Sequence, residues 1–167
     1  MRYIIGIDPG QQGGIAVIEG ASLMELHKCP THGSRNSPEY DVFGMNSLIN
    51  KYRDEDVVIY MEQIYATPGS GSASMLKFGK GFGIWIGIAA ANGIPLRFVR
   101  PQEWQKEFAP IPSGVARTKH VSIDAAKKLF PDADLKPGRK YLDDDNLAEA
   151  ILIAAYGGLK EYKKDGC

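Results

Sequence analysis

The chain has 167 residues, 44% of them hydrophobic, and a formal net charge of zero. That length suits one domain with a core of its own, and Cys29 and Cys167 stand without any CxxC or Cys/His cluster, so neither a disulfide framework nor a zinc site is indicated. The opening apolar run ends at Asp8, so no secretory leader is expected, and the longest uncharged stretch, Gly81 to Leu96, is too short and too broken by glycine, Asn92 and Pro95 for a membrane helix of about 20 apolar residues.

In chain order, Tyr3 to Asp8 and Gly14 to Glu19 read as two strands joined by the turn Pro9 to Gly13. Leu23 to Lys28 reads as a third strand or a short helix, and Pro30 to Pro38 as loop. Val42 to Tyr52 has the spacing of an amphipathic helix, with Val42, Met45, Leu48 and Ile49 on one side. The β-branched run Val57 to Met61 predicts a buried strand that delivers Glu62 at its end, before a Ser/Gly loop at Pro68 to Ser72.

Ser74 to Asn92 then reads as a long helix despite Gly79, Gly81, Gly83 and Gly87. Each glycine costs about 1 kcal/mol against alanine in a helix interior, so close approach to another helix or to a ligand is expected. Leu96 to Val99 is a further strand. Gln102 to Phe108, Thr118 to Phe130 and Asn146 to Tyr156 complete the predicted helices. The order gives an α/β layout with a mixed sheet, in a single domain over residues 1–167 whose core spans about 3–157, with a short C-terminal tail.

Charge is unevenly distributed: residues 1–74 carry a net −4, residues 75–140 a net +7 and residues 141–167 a net −3. A basic middle between acidic ends suits a protein that grips phosphates with one segment and holds cations with the others, although ordinary surface scatter gives the same totals.

Three acidic features carry the chemical argument. Asp8 ends the first strand before a glycine turn, Glu62 ends another strand before a loop, and Asp145 and Glu149 lie four apart at the start of the last helix, on one face. Taken singly, each has a plain structural reading: a turn aspartate, a solvated strand end, and a capping box from Asn146 to Glu149. Together they can converge at one sheet edge and hold Mg²⁺, which takes oxygen ligands, and two such ions support phosphodiester hydrolysis.

The sequence resembles the RuvC family of Holliday junction resolvases, and most of all its compact phage branch. The matching stretches are Ile5 to Gly10, Val58 to Gln63, Val99 to Lys106, Thr118 to Ile123 with Leu129 to Pro131, and Asp145 to Ala154. The resemblance implies a ribonuclease H-like fold, an Mg²⁺ or Mn²⁺ cofactor of two ions per site, a homodimer, four-way junction DNA as substrate, and paired symmetric nicks. It also implies a cytoplasmic protein of a bacterium or a phage-infected host, without a membrane or small-molecule partner.

Asp8 and Glu62 take the positions of the family's first two catalytic and metal-binding acids, and Glu149 that of the last. The position three before Glu149, acidic in better-known members, is Asn146 here; Asp145 is the expected ligand, with Asp144 and Asp143 as alternatives.

The expected DNA contacts are Lys77, Lys80, Arg97, Arg100, Lys106, Arg117, Lys119, Arg139 and Lys140, about half of which would be plain surface. Met75, Leu76, Phe78 and Phe82 could supply a wedge against unstacked bases, or pack the core. Trp85 and Trp104 read as core residues. The stripe Gly79, Gly83, Gly87 could meet a second copy or the chain's own sheet. Two other functions share the fold: a ribonuclease H-like nuclease acting on RNA or forked and flap DNA, and a non-catalytic junction-binding protein.

Overall fold

A computed structural model of the chain describes residues 2–34, 36–65, 71–110, 118–138 and 142–165; of Lys119, Lys164 and Asp165 it describes the backbone alone. Among the described residues seven strands and five helices follow one another: β1 (Tyr3–Ile7), β2 (Gly14–Glu19), β3 (Ser22–Lys28), β4 (Thr31–Ser34), β5 (Ser37–Tyr40), α1 (Val42–Asn50), β6 (Val57–Glu62), α2 (Ser72–Ala91), β7 (Leu96–Val99), α3 (Pro101–Phe108), α4 (Lys119–Leu129) and α5 (Asp145–Asp165). The main sheet runs β3-β2-β1-β6-β7, with β1, β2 and β3 antiparallel and β6 and β7 parallel to β1. This is the mixed sheet expected from the sequence.

Alternation along the strands divides the core in two. Ile4 of β1 and Val58 and Tyr60 of β6 face α5, with Ile123 and Ala126 of α4 and Trp104 of α3 in the same cluster. Ile5, Ile7, Ile59 and Met61 face the other way, onto α1 and α2, where Met45, Ile49, Trp85 and Ile88 meet them. Helix α5 lies hard against the sheet. At Gly6 and Gly157 any Cβ would overlap, in the first case the backbone of Ala150 and Ala154 and in the second the Tyr60 ring and Ile4.

The helix starts are held by local chemistry. Asp41 accepts the Gly44 amide at 2.9 Å to cap α1. Pro101 opens α3 and the Arg100 amide donates to Glu103 at 2.9 Å. At α5 the cap is Asp144 and not Asn146: its Oδ1 accepts the amides of Asn146 at 3.1 Å and Leu147 at 3.4 Å. The cap therefore lies two residues upstream of the Asn146 read from the sequence, and no capping box forms there, since Leu147 has no acceptor to return the bond.

Two other expectations shift and one open reading is resolved. The stretch read as loop from Pro30 to Pro38 contains the small hairpin β4–β5, paired Thr31 to Tyr40 through Ser34 to Ser37. Its β4 residues are all exposed, so no apolar alternation marked it. Residues 23–28 are strand, paired with β2. Helix α5 continues past Tyr156 to Asp165, because Gly157 serves as a contact with the sheet and not as a stop.

In α2 only Gly81 is packed inward, against Tyr40. Gly79, Gly83 and Gly87 face open space, so the stripe does not pack on the chain's own sheet. Among the described residues no helix is long and apolar enough to cross a membrane.

Candidate active site

The parallel register of β1 and β6 places two acids together. Ile7 pairs with Met61, and Tyr60 lies on the α5 face. One residue beyond the Ile7–Met61 pair stand Asp8 and Glu62, so both emerge on that same face at the same end of the sheet. Helix α5 crosses there through Ala150 and Gly6, which brings Glu149 to the same edge.

The electrostatics register this convergence. Asp8 is only 7% exposed, and burial first, then the charges of Glu62 and Glu149, push its carboxyl up to about 7. The Gly10 amide, at 3.5 Å, and the charge of Lys28 pull the other way without offsetting this. A buried carboxylate among like charges is stabilised either by a proton or by a cation. The donor set is oxygen only, which fits a hard divalent ion such as Mg²⁺. Among the described residues no group of three His, Cys, Asp or Glu stands in closed ligating geometry; an ion would have to draw the three side chains inward.

Among the described residues Trp104 and Ser122 donate to these acids, and neither was legible as a site residue. Trp104, fully buried, donates its indole N–H to Glu62 at 2.9 Å. Ser122, also buried, donates its hydroxyl to Glu149 at 3.1 Å. Both lie in the stretches that carry the family resemblance, but Trp104 had read simply as core, which it also is.

The acidic run before Glu149 is sorted by its partners. Asp143 pairs with Lys127 at 2.7 Å and reaches Lys136 at 3.8 Å, and the Lys127 bond holds its carboxyl below the usual range. Asp144 caps α5 and takes both oxygens to Lys28 Nζ, at 2.9 and 3.1 Å. Lys28 also donates to the Gln12 carbonyl, tying the β1–β2 turn to the start of α5. Asp145 opens the helix itself, one turn before Glu149.

A cleft of about 260 Å³ opens over Asp8, lined among others by Gly10, Tyr40, Lys77, Phe78 and Asn146. Of the expected DNA contacts, Lys77 therefore lies beside the acids. Lys80 pairs with Glu39 at 2.6 Å on the surface, and Arg100 with Glu103 at 3.5 Å. Lys106 is exposed on α3. Arg97 is drawn away, to Glu161 at 2.9 Å, about 18 Å along α5 from Glu149. Arg117, Arg139, Lys140 and the Lys119 side chain lie outside the described residues. Phe78 rests over Gly10, Leu76 projects into solvent, and Phe82 stacks on Phe98 with centroids 5.3 Å apart.

Sheet order, helix placement and the acid edge together define a ribonuclease H-like fold. Neither a protein-family profile nor a curated protein sequence matches the chain. Solved structures do. The chain is similar to Thermus thermophilus RuvC in complex with a Holliday junction substrate, at a TM-score of 0.69 and 18% identity over 97% of this chain and 96% of that one. It is similar to a second Thermus thermophilus RuvC structure at a TM-score of 0.63 and 19% identity, again over 97% and 96%.

Proposed function

We propose that the chain is a metal-dependent endonuclease that resolves four-way DNA junctions by paired, symmetric nicks. The observation that carries this reading is the convergence of Asp8, Glu62 and Glu149 at one sheet edge, with Asp8 buried among like charges. Its fold, shared with a RuvC bound to a Holliday junction substrate, supports the choice of DNA over other phosphodiesters.

Asp8, Glu62, Asp145 and Glu149 would hold the metal, with Asp145 preferred because it stands one helical turn before Glu149. Mg²⁺ or Mn²⁺, two ions per site, would activate water and stabilise the leaving 3′ oxygen. The chain's own part is to orient the acids through Trp104 and Ser122 and to exclude bulk water from Asp8. Lys77 is placed to steer a phosphate into the cleft, with Phe78 beside it as the apolar surface for an unstacked base.

Paired nicking requires two such sites at a fixed separation, which a two-fold homodimer provides. The open stripe Gly79, Gly83, Gly87 on α2, next to the exposed Ile86, is the surface we assign to that contact. Trp85, turned into the core, has no part in it.

The test is a panel of four-way junction, flap, fork, duplex and RNA–DNA hybrid substrates with Mg²⁺ or Mn²⁺. Preferential paired cleavage of the junction is expected. Preference for hybrid or flap would convert the reading to a ribonuclease H-like nuclease of other substrates, and junction binding without nicking would make the chain a binding protein. A Gly83→Arg change should shift the mass in light scattering towards that of one 18.3 kDa chain.

A further inference from the structure

We propose that Trp104 is a positioning residue for Glu62, its indole N–H setting the direction of that carboxylate and with it the divalent-cation affinity of the acid edge. This rests on the metal-dependent reading of the site.

The two tryptophans of the chain make the case. Both are almost wholly buried, Trp85 at 1% and Trp104 at 0% exposure. The Trp85 indole N–H has no hydrogen-bond partner among the described residues, so packing in this molecule does not by itself bring an indole N–H to an acceptor. Trp104 differs: its N–H reaches Glu62 at 2.9 Å. An indole can only donate, so the bond fixes one carboxylate oxygen in place.

Donor and acceptor are also carried on segments stitched to each other. The Gln63 amide donates to the Val99 carbonyl at 2.8 Å, directly beyond the β6–β7 ladder. Pro101 and the Arg100–Glu103 bond then start α3 with little slack. Trp104 thus meets Glu62 from a rigid platform. A neutral donor orients a carboxylate without cancelling its charge, which a lysine or arginine in the same place would do. Partners that orient metal ligands in this way typically govern affinity by 10–100-fold.

The test uses the full chain and Mg²⁺ or Mn²⁺ alone. In a proton–nitrogen correlation spectrum the two indole N–H signals, assigned with Trp85→Phe, are followed as Mg²⁺ is added. The Trp104 signal should move with the midpoint of metal binding while the Trp85 signal stays. In calorimetry, Trp104→Phe, folded by circular dichroism, should bind Mn²⁺ about 10-fold more weakly or worse. Wild-type affinity in a folded Trp104→Phe protein would overturn the proposal. So would a Trp104 signal indifferent to Mg²⁺ that calorimetry shows to be bound, a measurement that needs no variant to fold. If the wild-type chain binds neither ion, the metal reading itself fails and takes this inference with it.

Discussion

Helix α5 carries a buried carboxylate region at each end, and the two are built on opposite plans. Near its C-terminal end Glu161, 4% exposed, accepts from the Tyr60 hydroxyl at 2.6 Å, from Arg97 at 2.9 Å and from Arg2 at 2.9 Å. At the other end Asp8 is nearly as buried, yet the charges that act on it most are those of Glu62 and Glu149. Burial costs an unpaired carboxylate several kcal/mol and costs a well-paired one far less. The Glu161 carboxylate is therefore matched by donors and cations, whereas the Asp8 carboxyl is pushed up and would be relieved by a proton or a cation.

The largest effect should separate the ends in activity. Asp8→Asn and Glu62→Gln are each expected to reduce junction nicking to background while gel shifts show binding intact, whereas Glu161→Gln should cut normally. Within the acid end, Asp145→Asn should lose far more activity than Asp143→Asn, since Asp145 stands one helical turn before Glu149. The reverse ranking would move the metal ligand upstream.

The same contrast predicts opposite effects on stability. The Asp8 carboxyl lies near 7 in the folded chain and at 3.8 when unperturbed. Below about pH 4 it is protonated in both states and costs nothing. Between about pH 4 and 7 the unfolded chain gains charge freely while the folded chain resists, so stability falls across that window and levels off above it. In chelator, Asp8→Asn should then be more stable than wild type by a few kcal/mol at pH 8 and equal to it at pH 4. Denaturant melts at the two pH values measure this, and adding Mg²⁺ should restore the wild type alone. Equal stability at pH 8 would mean the acid end is compensated within the chain after all.

At the other end, Glu161→Gln should destabilise by about 2 kcal/mol, with no change in metal dependence. The half-exposed arginines keep the cost modest. The smallest effect concerns the approach of DNA. Lys77→Glu should reduce the log–log salt slope of junction binding by about 1, while Arg97→Gln, at the far end, should leave it unchanged. A slope indifferent to Lys77 would remove it from the phosphate path.

What could be read from the sequence is local in origin. The strand ends at Asp8 and Glu62, the α/β order and the helix that carries Glu149 follow from apolar periodicity and from short motifs, which are properties of neighbouring residues. The hairpin β4–β5 escaped for the same reason, since every residue of β4 is exposed and no apolar alternation marked that strand. So did the extension of α5, where Gly157 breaks the helical pattern but lets the Tyr60 ring approach.

Only the tertiary structure decided how side chains far apart in sequence share charge and hydrogen bonds. Asp143, Asp144 and Asp145 are the same residue type in an unbroken run, and nothing in that run distinguishes them. Lys127, Lys28 and the start of α5 do, from 16 and 116 residues away in the first two cases. Trp104 and Glu62 stand 42 residues apart and meet because β6 and β7 pair in parallel. The sequence by itself determined which acids the chain carries and where its strands end. The packing of α3, α4 and α5 on the sheet determined which partners each of them meets, because electrostatic interactions depend on distance in space and on burial, and neither is set until the layers close.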